Sequence, residues 1–98
     1  MKIVLTISLM LALAVPSFAQ RDTELYGYMR YSNRSAARGV VVTIGNFSVA
    51  SDDKGFYKIS YLRRGVKEVL VTPPGKHTRS FRVIVGDRAT QRDFTIDW

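Results

Sequence analysis

The sequence predicts an all-β fold, a seven-stranded antiparallel Greek-key β-sandwich, and three observations carry that expectation. After residue 20, apolar side chains recur at every second position rather than at helical spacing. Turn-forming residues punctuate the chain at near-regular intervals: Gly45 with Asn46, the run from Asp52 to Gly55, Gly65, Pro73 to Gly75, and Gly86 with Asp87. Each run between them has a single apolar face, and such faces are buried when two sheets pack against each other. A five-stranded barrel of the oligonucleotide-binding type is the second architecture this pattern allows.

The strands follow in order. Residues 24–31 alternate, with Leu25, Gly27, Met29 and Tyr31 on one face and Tyr26, Tyr28 and Arg30 on the other. A polar loop over residues 32–39 leads to Val40, Val42 and Ile44, which point one way, and a short third run follows over residues 47–51. Asp52, Asp53, Lys54 and Gly55 then supply a corner: aspartates that accept from their own backbone, and a glycine free to take positive φ. Tyr57, Ile59 and Tyr61 are expected inward on the fourth strand, opposite Phe56, Lys58 and Ser60. Val69 and Val71 mark the inner face of the fifth, which Pro73 and Pro74 end because proline donates no ladder bond. Phe81, Val83 and Val85 mark the sixth, and Phe94, Ile96 and Trp98 the seventh.

Residues 1–19 are set apart as an export signal. Lys2 precedes an apolar run over residues 3–15 that is short for a bilayer span, and Ser17, Phe18 and Ala19 place small residues around a cleavage point. Removing nineteen of the 98 residues leaves 79, one domain over residues 20–98, in the periplasm or outside the cell and without a transmembrane anchor. With Lys2 gone, 14 basic side chains face 8 acidic ones, so the mature domain stays basic. The chain has no cysteine, which removes disulfides, thiol nucleophiles and thiolate metal sites.

The stretch ELYGYMRYSNRSAARGVVVTIGN resembles the opening of carboxypeptidase regulatory-like domains: a glycine-bearing strand, a loop, then glycine and an alternating valine strand. SDDKGFYKISYLRRGVKEVLVTPPG is similar to their middle, where a turn ending in glycine leads to an aromatic, a leucine and a second glycine. Lys67 and Lys76 depart from the pattern, standing where such domains usually carry aromatics. The resemblance implies a transthyretin-like sandwich of the kind attached to bacterial secreted enzymes, adhesins and outer-membrane transporters. It implies a non-catalytic accessory module whose partner, an unidentified envelope or secreted protein, is met in trans.

The residues give little reason to expect an enzyme. A calcium site needs six or more oxygen ligands, whereas Asp52 and Asp53 stand beside the competing cation Lys54. His77 is the single histidine and lies next to Lys76, so no zinc triad and no cofactor is expected. Hydroxyisourate hydrolases share the implied fold but resemble one another in several histidines and a terminal Tyr-Arg-Gly-Ser, where this chain ends Thr95, Ile96, Asp97, Trp98.

Basic side chains are the remaining feature. If strands alternate in direction, every second loop falls at the same end, so Arg34 and Arg38 meet Lys76, His77 and Arg79, while Arg63, Arg64 and Arg88 gather at the other. These seven residues, Arg34, Arg38, Lys76, His77, Arg79, Arg63 and Arg64, are the candidate partner-binding set. Guanidinium pairs fit carboxylates and phosphates, so the alternative ligand is an anionic glycan or lipopolysaccharide. Nucleic acid is not expected for an exported protein.

Overall fold

The computed structural model describes residues 22–98, so the leader assigned to residues 1–19 lies outside the described residues. Eight strands build the fold: β1 Asp22–Tyr31, β2 Val41–Ile44, β3 Phe47–Ala50, β4 Phe56–Arg63, β5 Gly65–Thr72, β6 Arg79–Val85, β7 Thr90–Gln91 and β8 Phe94–Ile96. One sheet has the order β4-β1-β7, with β8 also on β1, and the other has the order β3-β2-β5-β6. All-β architecture in two sheets is therefore observed.

Alternation places the core as the sequence dictates. Leu25 and Met29 from β1, Tyr57 and Ile59 from β4, Val42 from β2, Val69 and Val71 from β5, Val83 and Val85 from β6, and Phe94 and Ile96 from β8 are all buried in one cluster. Trp98, expected in this core, is half-buried at its rim, where Phe81 stacks against it at 5.8 Å between ring centroids. With no cysteine in the chain, packing of this cluster is what excludes water and holds the sheets together.

Three features differ from the expected plan. Antiparallel pairing holds for β1 with β4, β2 with β3, β2 with β5 and β5 with β6, but β7 and β8 run parallel to β1. The strand count is eight rather than seven, because residues 90–91 pair with Leu25 and Tyr26 before the chain breaks step at Arg92 and Asp93. Gly27 explains the break: the Arg92 carbonyl oxygen lies 2.1 Å from where a Cβ on residue 27 would stand. Asp93 then repairs the ladder, its carboxylate accepting the Tyr28 N–H at 2.9 Å.

The third difference is on β4. Thr23 pairs with Leu62 and Leu25 with Ile59, so Glu24 faces both Ser60 and Tyr61 across a β-bulge. The extra residue shifts the alternation by one. Leu62 takes the inner position expected of Tyr61, and Tyr61 is left 74% exposed.

Candidate binding cleft at the loop end

The loop after β1, the corner before β4, the β5–β6 loop and the chain's last residues share one end of the sandwich. The corner is what fixes that end. Asp52 accepts the N–H groups of Lys54 and Phe56 on one carboxylate oxygen, each at 2.9 Å, and its own carbonyl accepts from Gly55 at 2.9 Å. Gly55 takes φ +80° and lies against Met29, whose N–H donates to the Gly55 carbonyl at 2.7 Å. Ser51, buried beside it, accepts from Val40 N–H at 2.9 Å and donates to the Ala37 carbonyl at 2.6 Å. The corner thus clamps the loop leading into β2. Asp53 pairs with Arg38 at 3.1 Å, both side chains well exposed.

Two further turns present the candidate cations. Asn33 accepts from Ser35 N–H at 3.0 Å, and Arg34 takes φ +72° with its N–H donated to the Tyr31 carbonyl at 2.9 Å. On the facing loop, buried Pro73 accepts from Lys76 N–H at 3.1 Å across a turn in which Gly75 has φ +72°. Gly75 supplies the positive φ such a turn demands.

The tail closes the arrangement. Parallel pairing of Tyr31 with Ile96 brings Asp97 and Trp98 beside the first loop. Trp98 donates its indole N–H to the His77 carbonyl at 2.9 Å, while the Arg79 guanidinium lies over its ring at 4.7 Å and reaches Asp97 at 3.4 Å. Tyr31, Ser32, Asn33, Lys76, Asp97 and Trp98 line an open cleft of about 610 Å³ at this end. Its chemistry is mixed: aromatic surface, an ammonium, a carboxylate and amide groups.

Of the seven candidate residues, Lys76 lines this cleft and Arg79 braces its Trp98 wall. His77 supports it through its backbone carbonyl. Arg34 sits on the adjoining turn and Arg38 beside the corner. Arg63 and Arg64 belong to the opposite end, where Arg63 stands across from Asp22 and Arg64 bonds Asp87 at 2.7 Å. Tyr31, Ser32, Asn33, Ile96, Asp97 and Trp98 also line the cleft and are not among the seven candidates.

Tyr57 is the one described titratable group pushed far from its ordinary value. Burial raises its pKa, the Arg92 charge opposes that and Asp93 adds to it, so the phenol stays protonated and donates to the Arg92 carbonyl. That hydrogen bond gives it a structural use.

No family model matches this sequence, and no curated protein matches it. Solved structures do match in fold. The dioxygenase domain of a dioxygenase carbohydrate-binding protein fusion from the cellulolytic bacterium Streptomyces sp. SirexAA-E aligns at TM-score 0.65 and 11% identity, covering 78% of this chain and 79% of that one. A chain from a type II cohesin–X–dockerin complex of Acetivibrio cellulolyticus aligns at TM-score 0.57 and 22% identity, covering 74% of this chain and 51% of that one. The Bacillus anthracis TIE protein aligns at TM-score 0.57 and 17% identity over 74% of this chain and 16% of its own length. Identities this low establish the shared sandwich fold and nothing finer.

Proposed function

We propose that this chain is a non-catalytic exported accessory module, of the carboxypeptidase regulatory-like type, that docks another envelope or secreted protein through its loop end. The observation that carries the reading is the cleft that Tyr31 and Asn33 of the first loop, Lys76 of the facing loop and Trp98 of the tail line together. Aromatic surface with a braced arginine is the composition that concentrates binding energy at protein interfaces. The groups that invite a catalytic reading are occupied in turns and braces: Asp52 caps the corner, Ser51 bridges two backbone groups, and Tyr57 holds Arg92. A chain of similar fold takes part in a cohesin–X–dockerin complex, which supports association with protein. Retention of a labelled partner on the immobilised protein tests this. A Lys76→Glu, Arg34→Glu variant is expected to retain at least about tenfold less than the wild type, in keeping with loss of complementary charge at an interface. Equal retention by both contradicts it.

The second reading is a module for an anionic glycan or lipopolysaccharide at the same cleft, favoured by two aromatic side chains beside an ammonium. It predicts affinity for an acidic polysaccharide that falls steeply as salt is raised. Affinity indifferent to salt contradicts it.

A further inference from the structure

At the far end from the cleft, exposed apolar side chains stand among arginines. Tyr61, Val66 and Ile84 are 74%, 61% and 74% exposed. Val66 and Ile84 are cross-strand partners on the outer face of the second sheet. Tyr61 precedes the β4–β5 corner and lines a hollow with Asp22, Asp87 and Ala89, and Asp87 is held by Arg64 of that corner at 2.7 Å. The ends of both sheets are thereby tied together, with the three apolar groups flanking one basic corner. Arg63, Arg64, Lys67 and Arg88 belong to this end, against the carboxylates of Asp22, Glu24 and Asp87, of which Glu24 is paired with Lys58 at 3.1 Å and Asp87 with Arg64.

Tyr61 adds an independent observation. Its φ of +62° lies in the left-handed region, at a bulge where glycine is the relaxed choice. An aromatic residue there carries backbone strain, and a ring this exposed gains little from the core to offset it. Strain kept without a packing return marks a side chain with a use outside the fold.

We propose that this end is a bilayer-docking tip, in which Tyr61, Val66 and Ile84 enter the headgroup margin of an anionic phospholipid membrane while the arginines meet its phosphates. Apolar side chains beside cations are the composition that holds a protein at such a boundary. The entry point of the chain agrees. Asp22 opens β1 at this end, across from Arg63, so the chain that precedes the domain joins it at the tip. The tip and the cleft lie at opposite ends, so either assignment can fail without the other.

The test uses protein expressed from the full 98-residue sequence, with retention or loss of residues 1–19 read by mass spectrometry. Because the chain has no cysteine, Y61C or K54C carries a single environment-sensitive dye at the tip or at the opposite corner. On vesicles of phosphatidylcholine with a quarter phosphatidylglycerol, the dye at position 61 is expected to shift blue and the one at position 54 to stay in water. Partitioning of the unlabelled protein is expected to be about tenfold stronger than on phosphatidylcholine alone and to fall with salt. Val66→Asp with Ile84→Asp should lower it by about tenfold or more, since two apolar anchors are lost. Tyr61→Gly relaxes the backbone, so its melting temperature should hold or rise while partitioning falls several-fold. Equal shifts at positions 54 and 61, equal binding to neutral vesicles, or binding that follows residues 1–19 and ignores these three side chains overturns the proposal.

Discussion

The carbonyl oxygen of Arg92 occupies the space a side chain on Gly27 would need, 2.1 Å from the ideal Cβ position. Everything at the seam between β1 and the last two strands follows from that approach. Tyr57 reaches across to donate to the same carbonyl, and Asp93 accepts from Tyr28 N–H on the next residue. A backbone oxygen cannot step aside as a flexible side chain can. Gly27→Ala is therefore expected to destabilise by about 2–4 kcal/mol, a steric cost in a packed interior, read as a lowered midpoint in chemical denaturation. A change under about 0.5 kcal/mol, the range of neutral surface substitutions, would contradict the seam's geometry.

Tyr57 links the seam to pH. Burial raises its phenol pKa above the ordinary value near 10, so the folded state holds the proton that the unfolded chain releases. Stability from this group is complete below pH 10 and is lost as pH rises beyond it. Tyr57→Phe should show a shallower alkaline decline than wild type when melting temperature is followed from pH 8 to 11. At neutral pH the same substitution should cost about 1–2 kcal/mol, because the Arg92 carbonyl loses its phenol donor.

The two corner aspartates should separate cleanly. Asp52→Ala removes the acceptor of two backbone N–H groups and is expected to cost about 1–2 kcal/mol, the range of a lost cap. Asp53→Ala removes an exposed pair with Arg38 and should stay within about 0.5 kcal/mol. Calorimetry of both variants checks the contrast, and the reverse order would refute the assignment of Asp52 as the turn's organiser.

The bulge on β4 makes a similar pair. Leu62→Ala opens a cavity in the cluster and should cost about 2–4 kcal/mol, whereas Tyr61→Ala should cost well under about 1 kcal/mol. Denaturation midpoints distinguish the two, and equal losses would mean that both side chains face inward.

Much of the fold was legible because alternation alone assigns Leu25, Val42, Ile59 and Val83 to the core. Alternation points Tyr61 inward and the structure turns it outward, since a bulge adds a residue on one strand without any signal in the hydrophobic pattern of that strand. Thr90 and Gln91 carry no strand signal in the sequence because two polar residues form no period. Parity of antiparallel connections was enough to bring Lys76 and Arg79 to the end that carries Asn33. It could not bring Trp98 there, because that depends on β8 lying parallel to β1, with Tyr31 beside Ile96. The cleft's cations were thus visible in the sequence, while its aromatic wall required the three-dimensional pairing.

Whether the loop end meets another molecule, as proposed, can be read by photocrosslinking in the producing cells. A photoreactive residue placed at Asn33, on the cleft, is compared with one at Lys58, on the outer face of β4. A discrete crosslinked product is expected from position 33, lost on Lys76→Glu, and none of matching yield from position 58. Crosslinking from position 58 alone, or a product from position 33 unchanged by Lys76→Glu, would contradict the proposal.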